Sequence, residues 1–204
     1  MKLNSLISEI IQKFEQPLPG IEAHLELAPY RNAYNNLEIQ NPILASTLLL
    51  LYPSSQSVKF CLTQRQKYDG PHSNQISFPG GKKELDETLE STALRECNEE
   101  IGISSVNILG KLTNVYVPPS NMLIHPFVGF ISEKPQFKIN KREVKKLIEV
   151  NVNELYKKNI VQVRSIRLNK NSRPTEIPFL DINNEIVWGA TSVILNEFRK
   201  MLKL

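Results

Sequence analysis

Hydrophobic side chains follow two different spacings along this chain of 204 residues, and each spacing predicts a different kind of element. Near the start, apolar residues recur every three or four positions, which predicts an amphipathic helix over residues 1–16. Residues 190–204 repeat this spacing and predict a helix that covers the sheet. The polar, Asn-rich residues 17–44 predict an irregular connection, packed on the core, with one short strand at most.

The middle of the chain has the patterns of β-strands. Residues 45–52 form a buried-strand run, and alternation at Val58, Phe60 and Leu62 after a turn predicts a hairpin. Because strands and helices interleave without regular βαβ repetition, the chain predicts an α/β fold, one domain over 1–204 with a mixed sheet flanked by helices. Further strands are predicted at residues 75–81, 108–117, 123–131, 147–150 and 161–167.

One central helix has clear boundaries. Thr88 is a good N-cap and Gly102 is a good C-terminal stop, so the helix is predicted over residues 89–101. Its apolar residues share one broad face at about 100° per residue. Three carboxylates lie along the edge of that face: Glu96, Glu99 and Glu100.

These carboxylates are electrostatically unfavourable at their positions in the helix. A like-charge pair such as Glu96 and Glu100 costs a few tenths of a kcal/mol, and each anion in a last turn costs about 0.3–1 kcal/mol. Arg95, four residues before Glu99, can hold one acid, and the remaining charge calls for a cation. Carboxylate oxygens suit Mg²⁺ or Mn²⁺, and the carbonyl of Gly80 is a further predicted ligand. For two adjacent glutamates alone, a solvated acidic face is the ordinary alternative.

The spacing of the whole segment 81–103 is far more specific than a run of acids, and it resembles the Nudix box. The resemblance implies an α/β/α sandwich and metal-dependent hydrolysis of a phosphoanhydride. The nine matching positions are Gly81, Glu87, Arg95, Glu96, Cys97, Glu99, Glu100, Gly102 and Ile103.

By this resemblance, Glu96 and Glu100 are the firmest metal ligands, Glu99 joins them, and Arg95 orients Glu99. The general base stays open between Glu99 and Glu100 on the helix and Glu143 in a later loop, where a surface acid among lysines is an equal alternative. Structural support of the box is assigned to Gly81, Glu87 and Gly102.

Sequences outside the box resemble the coenzyme A pyrophosphatases of the Nudix family. The similar stretches include 62–65, 78–81, 116–121 and 125–128. This implies coenzyme A or its thioesters as a small-molecule substrate, cleaved to 3′,5′-ADP and 4′-phosphopantetheine or its acyl derivative. The candidate substrate-binding residues are Arg65, Lys67, His72 and Lys82.

Three positions depart from the pyrophosphatase pattern. Gln66 stands where a small residue is usual, Gly70 where a second arginine is expected, and Asn74 where a glycine is expected. A lost arginine is a lost bidentate phosphate contact. Two alternatives therefore stay open: a Nudix diphosphatase for another nucleoside diphosphate derivative, such as ADP-ribose or a nucleoside triphosphate, and a non-catalytic ligand-binding module. The presence of all three helix acids disfavours the module.

Composition narrows the remaining function classes. The chain is 41% hydrophobic and 23% charged, and its formal charge of +4 is too modest to imply a nucleic acid polymer. The longest apolar runs are too short to span a bilayer, so no membrane role is predicted. Cys61 and Cys97 both lie in apolar patterns, which predicts buried thiols and a cytoplasmic location. The terminal amphipathic helices suit burial within one subunit or in a homodimer equally.

Overall fold

The computed structural model describes residues 2–29, 39–67, 73–166 and 174–203, and within these ranges the chain forms four α-helices and eleven strands. The helices are α1 (Leu3–Phe14), α2 (Gly20–Leu27), α3 (Leu89–Ile101) and α4 (Ala190–Lys203). The strands are β1 (Ile43–Ser54), β2 (Ser57–Arg65), β3 (Ile76–Ser77), β4 (Gly80–Lys82), β5 (Asn107–Lys111), β6 (Val115–Val117), β7 (Met122–Phe130), β8 (Val144–Asn151), β9 (Val161–Ile166), β10 (Thr175–Ile182) and β11 (Glu185–Val187).

Strand β1 is the centre of a mixed sheet. It pairs antiparallel with β2 and with β4, and parallel with β7. Strands β3 and β8 pair with β2, and strands β5 and β6 pair with β7. A second sheet contains β9, β10 and β11. The predicted sandwich, with helices on both faces of a mixed sheet, is confirmed.

Alternation along β1 divides the core between the two faces of the sheet. Leu48 and Leu50 are fully buried in a cluster that includes Ala93 and Cys97 of α3. Leu49 lies in the opposite cluster, together with apolar residues of α1, α2 and α4. Each fully buried side chain of this size contributes about 1.5–3 kcal/mol relative to an exposed one. Helix α3 is therefore held against the sheet along its apolar face, which fixes the direction of its acidic edge.

The structure corrects two of the predicted elements. Residues 20–27, expected within an irregular connection, form helix α2. Its His24 Nε2 lies 2.9 Å from Glu197 Oε2 of α4. The single strand expected over residues 108–117 is two strands, because Thr113 N turns away from the sheet and donates to the same Glu197 carboxylate at 3.2 Å. Both differences come from long-range contacts to one buried acid.

Two further predictions can be compared with the structure. Cys61 and Cys97 are both free and buried, as predicted. Burial raises the pKa of both thiols, that of Cys97 to about 12. Among the described helices, none combines the length and the apolar character needed to cross a membrane.

Candidate functional site

Helix α3 begins and ends at the predicted residues, and its end groups explain why. Thr88 Oγ1 accepts a hydrogen bond from Ser91 N at 3.1 Å, while Thr88 N donates to Ser91 Oγ at 2.8 Å. These two bonds form a reciprocal cap at the N-terminus. Gly102 ends the helix in the left-handed region at φ 76°, and its N–H bonds to Asn98 O at 2.9 Å.

Arg95 is the hub of the acidic edge. Its Nη1 donates to Glu96 Oε1 at 2.9 Å and to Glu99 Oε2 at 3.0 Å. Its Nε and Nη2 form a fork to the two oxygens of Glu87 at 3.1 and 3.0 Å. Nη2 also donates to the carbonyl of Lys82 in β4, at 3.1 Å. The predicted pair with Glu99 is present, but it is one of four partners that one guanidinium holds together.

Glu87 fixes the segment that joins β4 to α3. Its Oε1 accepts from Glu84 N at 2.7 Å and from Thr92 Oγ1 at 2.8 Å, in addition to Arg95. The hydrogen bonds from Arg95, followed by that from Glu84 N, lower the pKa of Glu87 to about 2. Glu87 is thus ionised at neutral pH and ties the strand–helix connection to the hub. The supporting role predicted for Glu87 stays a prediction.

Glu100 differs from its neighbours because it faces the sheet and is only 2% exposed. Thr63 Oγ1 of β2 donates to its Oε2 at 3.2 Å, and Arg65 Nη1 lies 3.8 Å from its Oε1. Burial raises the pKa of Glu100 to about 7, although the nearby Arg65 charge acts in the opposite direction. A buried carboxylate with only a distant cation is an electrostatic cost that the apoprotein carries.

Glu96 lies between Arg95 and the two glycines of β4. Burial raises its pKa, while the bond to Arg95 and the charge of Arg95 lower it. A Cβ atom added to Gly81 would clash with the Glu96 carboxylate, and one added to Gly80 would clash with Ser46 O of β1. Gly80 is therefore required by its close approach to the backbone of β1, whereas a side chain at Gly81 would push the Glu96 carboxylate aside.

The carbonyl of Gly80 points away from the central strand. Leu48 N donates to Pro79 O at 3.0 Å, and Lys83 N donates to Leu44 O at 2.9 Å. Hydrogen-bonded positions alternate along an antiparallel pair, so Gly80 lies at a position whose carbonyl is directed outward from β1. The Lys82 carbonyl, two residues along, is directed the same way and reaches Arg95.

The other predicted site residues lie around this cluster at different depths. Glu143 is exposed in the turn before β8 and accepts from Asn140 Nδ2 at 3.0 Å, and its charge is felt by Glu96 and Glu100. Lys67 and Lys82 are exposed. His72 lies outside the described residues. Their predicted roles stay predictions.

Thr63 is the residue of this site that the sequence interpretation did not single out. It is fully buried on β2, and alternation places it on the same face as Cys61 and Arg65, towards α3. A polar residue in an otherwise apolar buried strand was the available signal. Its partner on α3 was not predictable, because the contact joins residues 37 positions apart.

The donor chemistry of the cluster fits a hard divalent cation. Glu96, Glu99 and Glu100 supply carboxylate oxygens, and Gly80 supplies an outward carbonyl. In the part of the chain that the structure describes, no three His, Cys, Asp or Glu side chains converge on a single point. The side chains explain this arrangement, because Arg95 holds Glu96 and Glu99 while Glu100 turns towards Thr63. A bound cation would compete with Arg95 for two of these acids.

The contact between Gly81 and Glu96 leads to a testable expectation. Gly81→Ala should displace the Glu96 carboxylate from Arg95 and lower stability by less than about 1 kcal/mol, because the tip of a glutamate side chain can move. Hydrolytic activity should fall with it. Gly20→Ala is a matched control, because at φ +58° it adds backbone strain while its Cβ meets only an ordinary contact at 3.7 Å. Denaturant titration and initial rates of both variants measure the difference. Equal activity in the two variants would contradict the role given to Gly81.

Comparisons with known proteins identify the family that this chain resembles. The family model described as the NUDIX domain matches residues 43–168. The chain is 27% identical over 201 residues to an uncharacterized Nudix hydrolase, NudL, from Yersinia pestis (strain Pestoides F). That alignment covers 97% of this chain and 96% of the relative.

Solved structures resemble the fold. A MutT/nudix family protein from Enterococcus faecalis superimposes with a TM-score of 0.53 at 19% identity, covering 92% of this chain and 76% of that one. A MutT protein from Methanosarcina mazei Go1 gives a TM-score of 0.52 at 18% identity, covering 80% and 96% of the two chains. At these identities the similarity concerns the fold alone.

Proposed function

Since the chain belongs to the NUDIX domain family, we propose that it is a divalent-metal-dependent hydrolase that cleaves the diphosphate of coenzyme A or its thioesters. The products are 3′,5′-ADP and 4′-phosphopantetheine or its acyl derivative. The observation that carries this proposal is the 3.8 Å approach of Arg65 to Glu100. Arg65 comes from the stretch that resembles coenzyme A pyrophosphatases, and Glu100 comes from the helix that carries the acidic edge.

The residues that would hold Mg²⁺ or Mn²⁺ are Glu96, Glu99 and Glu100, with the carbonyl of Gly80. When bound, such a cation polarises phosphoryl oxygens and lowers the pKa of water. It would also add positive charge beside Glu96 and Glu100, where burial raises the pKa of both carboxyls even though Arg95 and Arg65 lie near them. The low exposure of Glu100 keeps its charge poorly screened, which strengthens any interaction with a cation.

In the proposed reaction, water attacks one phosphorus and the second phosphate leaves with the electrons of the bridging P–O bond. Arg65 places a fixed positive charge beside the diphosphate, where negative charge grows as the bond breaks. Arg95 keeps the acidic edge assembled through its four partners. A carboxylate must accept the proton from the attacking water, and Glu100 is the candidate that lies beside Arg65. Glu99 and Glu143 are the alternative bases.

The departures at Gly70 and Asn74 favour one second candidate, hydrolysis of another nucleoside diphosphate derivative such as ADP-ribose. The acidic edge and Arg95 would act in the same way on any phosphoanhydride, so substrate specificity depends on residues outside them. A purely ligand-binding module is the weakest alternative, because Glu96, Glu99 and Glu100 are all present.

A substrate panel tests the proposal. Purified protein is incubated with Mg²⁺ or Mn²⁺ and, separately, with coenzyme A, ADP-ribose, NADH and deoxynucleoside triphosphates. Chromatography identifies the products, and initial rates give kcat/KM for each compound. We expect coenzyme A to exceed every other compound by at least about tenfold, the discrimination that one lost polar contact produces. A higher kcat/KM for ADP-ribose or a triphosphate would mean that this compound is the substrate in place of coenzyme A and that the type of reaction is unchanged.

Arg65→Met gives a second test, because it removes the charge while keeping a long side chain. We expect kcat/KM for coenzyme A to fall about 100-fold, the usual loss for a charged contact made in the transition state. Because Arg65 lies beside Glu100, the same loss is expected with dephospho-coenzyme A, which lacks the 3′-phosphate. A loss confined to coenzyme A would place Arg65 at the 3′-phosphate instead. Unchanged kinetics with both compounds would remove Arg65 from the site.

A further inference from the structure

A cavity of about 420 Å³ opens where β2 ends and β3 begins, beside the turn and second strand of the β10–β11 hairpin. This volume lies in the range of about 300–1,000 Å³ that small-molecule sites occupy. The hydrolytic site described above uses none of the residues that line it. They are Gln64, Ser73, Asn74, Gln75, Ile76, Asn184, Glu185, Ile186 and Trp188.

The walls of this cavity combine a flat aromatic surface with several amides. Trp188, the only tryptophan in the chain, lines it together with Ile76 and Ile186. The amide side chains of Gln64 and Asn184 lie among the polar lining residues. An indole ring offers a stacking surface to any planar heterocycle, and amides offer both donors and acceptors to its edge.

The charges around the cavity favour a neutral group over a phosphate. Glu185 lines the wall, and its Oε1 is 2.6 Å from Lys146 Nζ, so an acid and a base already neutralise each other there. Asn74 Oδ1 accepts from Gln64 Nε2 at 3.1 Å and from Lys145 Nζ at 3.2 Å. The interior therefore presents amides and a carboxylate to a ligand. Among the described residues that line the cavity, none is a Lys or Arg that could bind a phosphate, whereas an uncharged ring needs no cation.

The cavity begins one residue from the proposed diphosphate site. Gln64 lines the cavity, and the next residue, Arg65, approaches Glu100. Consecutive Cα atoms are about 3.8 Å apart, and the pairing of β2 with β8 shifts register between these two residues. The cavity and the proposed diphosphate site therefore adjoin at this irregular strand end.

We propose that this cavity binds the adenine ring of the substrate, stacked on Trp188, with the amides of Gln64 and Asn184 bonded to the ring edge. Stacking supplies affinity, and the amides select the base over the pantetheine arm, which has no planar ring. The inference rests on the proposed function for the identity of the nucleotide. Whether a base binds in this cavity beside Arg65 can be tested by binding measurements alone, without hydrolysis.

Trp188 is a built-in reporter for this binding. Metal-free wild-type protein is titrated with AMP and, in parallel, with ribose 5-phosphate, which has the same phosphate and sugar without the base. Free tryptophan in the same titrations corrects for absorption by the ligand. We expect saturable quenching of Trp188 fluorescence by AMP and none by ribose 5-phosphate. Equal responses to both compounds, or no response to AMP, would overturn the proposal.

Two sets of variants locate the contact. Trp188→Leu should weaken AMP binding, measured calorimetrically, at least about tenfold, whereas Trp188→Phe keeps a ring and should bind more tightly than the leucine variant. Asn184→Gly should weaken binding at least about threefold, the loss expected for one hydrogen bond. Asn183→Gly is its matched control, because both residues sit in the same turn with positive φ (53° and 63°) and Asn183 does not line the cavity. Identical AMP affinity for the two glycine variants would exclude the Asn184 contact.

The outcomes separate this inference from the proposed function. If AMP quenches Trp188 but coenzyme A is not hydrolysed, the base pocket stands and the substrate is another adenine nucleotide. If coenzyme A is hydrolysed and 4′-phosphopantetheine quenches Trp188 while AMP does not, the cavity holds the other half of the substrate. That second result would reject the adenine assignment and leave the hydrolase assignment intact.

Discussion

Replacing Glu100 with glutamine is expected to stabilise the metal-free protein while it abolishes hydrolysis. The carboxylate is 2% exposed, and burial raises its pKa to about 7 from an ordinary value of 4.5. The folded state therefore binds a proton more tightly than the unfolded state, and ionising Glu100 costs stability as the pH rises from 4.5 towards 7. Glutamine keeps the shape and can still accept from Thr63, but it carries no charge.

At pH 8 we expect Glu100→Gln to gain about 1–3 kcal/mol in free energy of unfolding, measured by denaturant titration in EDTA. The gain should vanish at pH 4, where Glu100 is protonated in both states. Hydrolytic activity should fall at least about 100-fold, because a predicted metal ligand is lost. Glu99→Gln is the matched control for stability, since its side chain is 51% exposed and its removal should change stability by less than about 1 kcal/mol. Lower stability of Glu100→Gln at pH 8 would show that Arg65 and Thr63 already compensate the buried charge.

Removing the hub should have the largest cost to stability. Arg95→Met leaves Glu87, Glu96 and Glu99 without their common partner, and we expect a loss of about 2–3 kcal/mol in metal-free buffer. Arg95→Lys should restore little, because a single ammonium cannot reproduce the fork to Glu87 while it also reaches Glu96. Lys83→Met is the control, since it changes the net charge equally and, within the described residues, its Nζ bonds only to the neighbouring Glu84 carbonyl.

Metal should affect the hub variant more than the wild type. With Arg95 gone, the freed acids attract a cation more strongly, so added Mg²⁺ or Mn²⁺ should recover part of the lost stability. Thermal denaturation with and without the metal measures this recovery. Activity should stay low even at saturating metal, because Glu87 no longer ties the connection to α3. Wild-type stability and activity in Arg95→Met would contradict the central position that its four partners give it.

Local signals in the sequence predicted the helix that carries the site. Helix α3 begins after Thr88 and ends before Gly102, as predicted. The 3.6-residue spacing predicted the apolar face on which Cys97 is buried. The hairpin of β1 and β2 followed from alternation and a short turn. These features depend on neighbours within a few positions, which is why the sequence alone was sufficient for them.

Helix α2 shows where local reasoning stops. It is eight residues long and follows Pro17 and Pro19, and its buried His24 is fixed by Glu197, 173 positions away. Asn196 Nδ2 also donates to Ala23 O at 2.7 Å. A helix this short is marginal without such tertiary contacts, so its sequence carries little signal. The β10–β11 hairpin had a usable signal in the pair Asn183-Asn184. Asparagine tolerates the positive φ that two-residue hairpin turns need, and both residues adopt it here.

The same division holds for the site. The acids of α3 and their common edge followed from helical spacing, as did the Arg95–Glu99 pair four residues apart. The fork from Arg95 to Glu87 and the burial of Glu100 by β2 could not follow, because the first spans a strand–helix turn and the second joins distant elements. The different environments of the adjacent residues Glu99 and Glu100 therefore could not be predicted from the sequence.

The central claim is that this acidic edge hydrolyses coenzyme A with the help of a divalent cation. The most direct measurement follows 3′,5′-ADP and 4′-phosphopantetheine by chromatography, for wild type and Glu100→Gln, with Mg²⁺, with Mn²⁺ and in EDTA. We predict equimolar release of both products by the wild type with metal, none in EDTA, and a rate at least about 100-fold lower for the variant. Release that persists in EDTA, or proceeds equally in Glu100→Gln, would contradict the claim and place the chemistry elsewhere in the molecule.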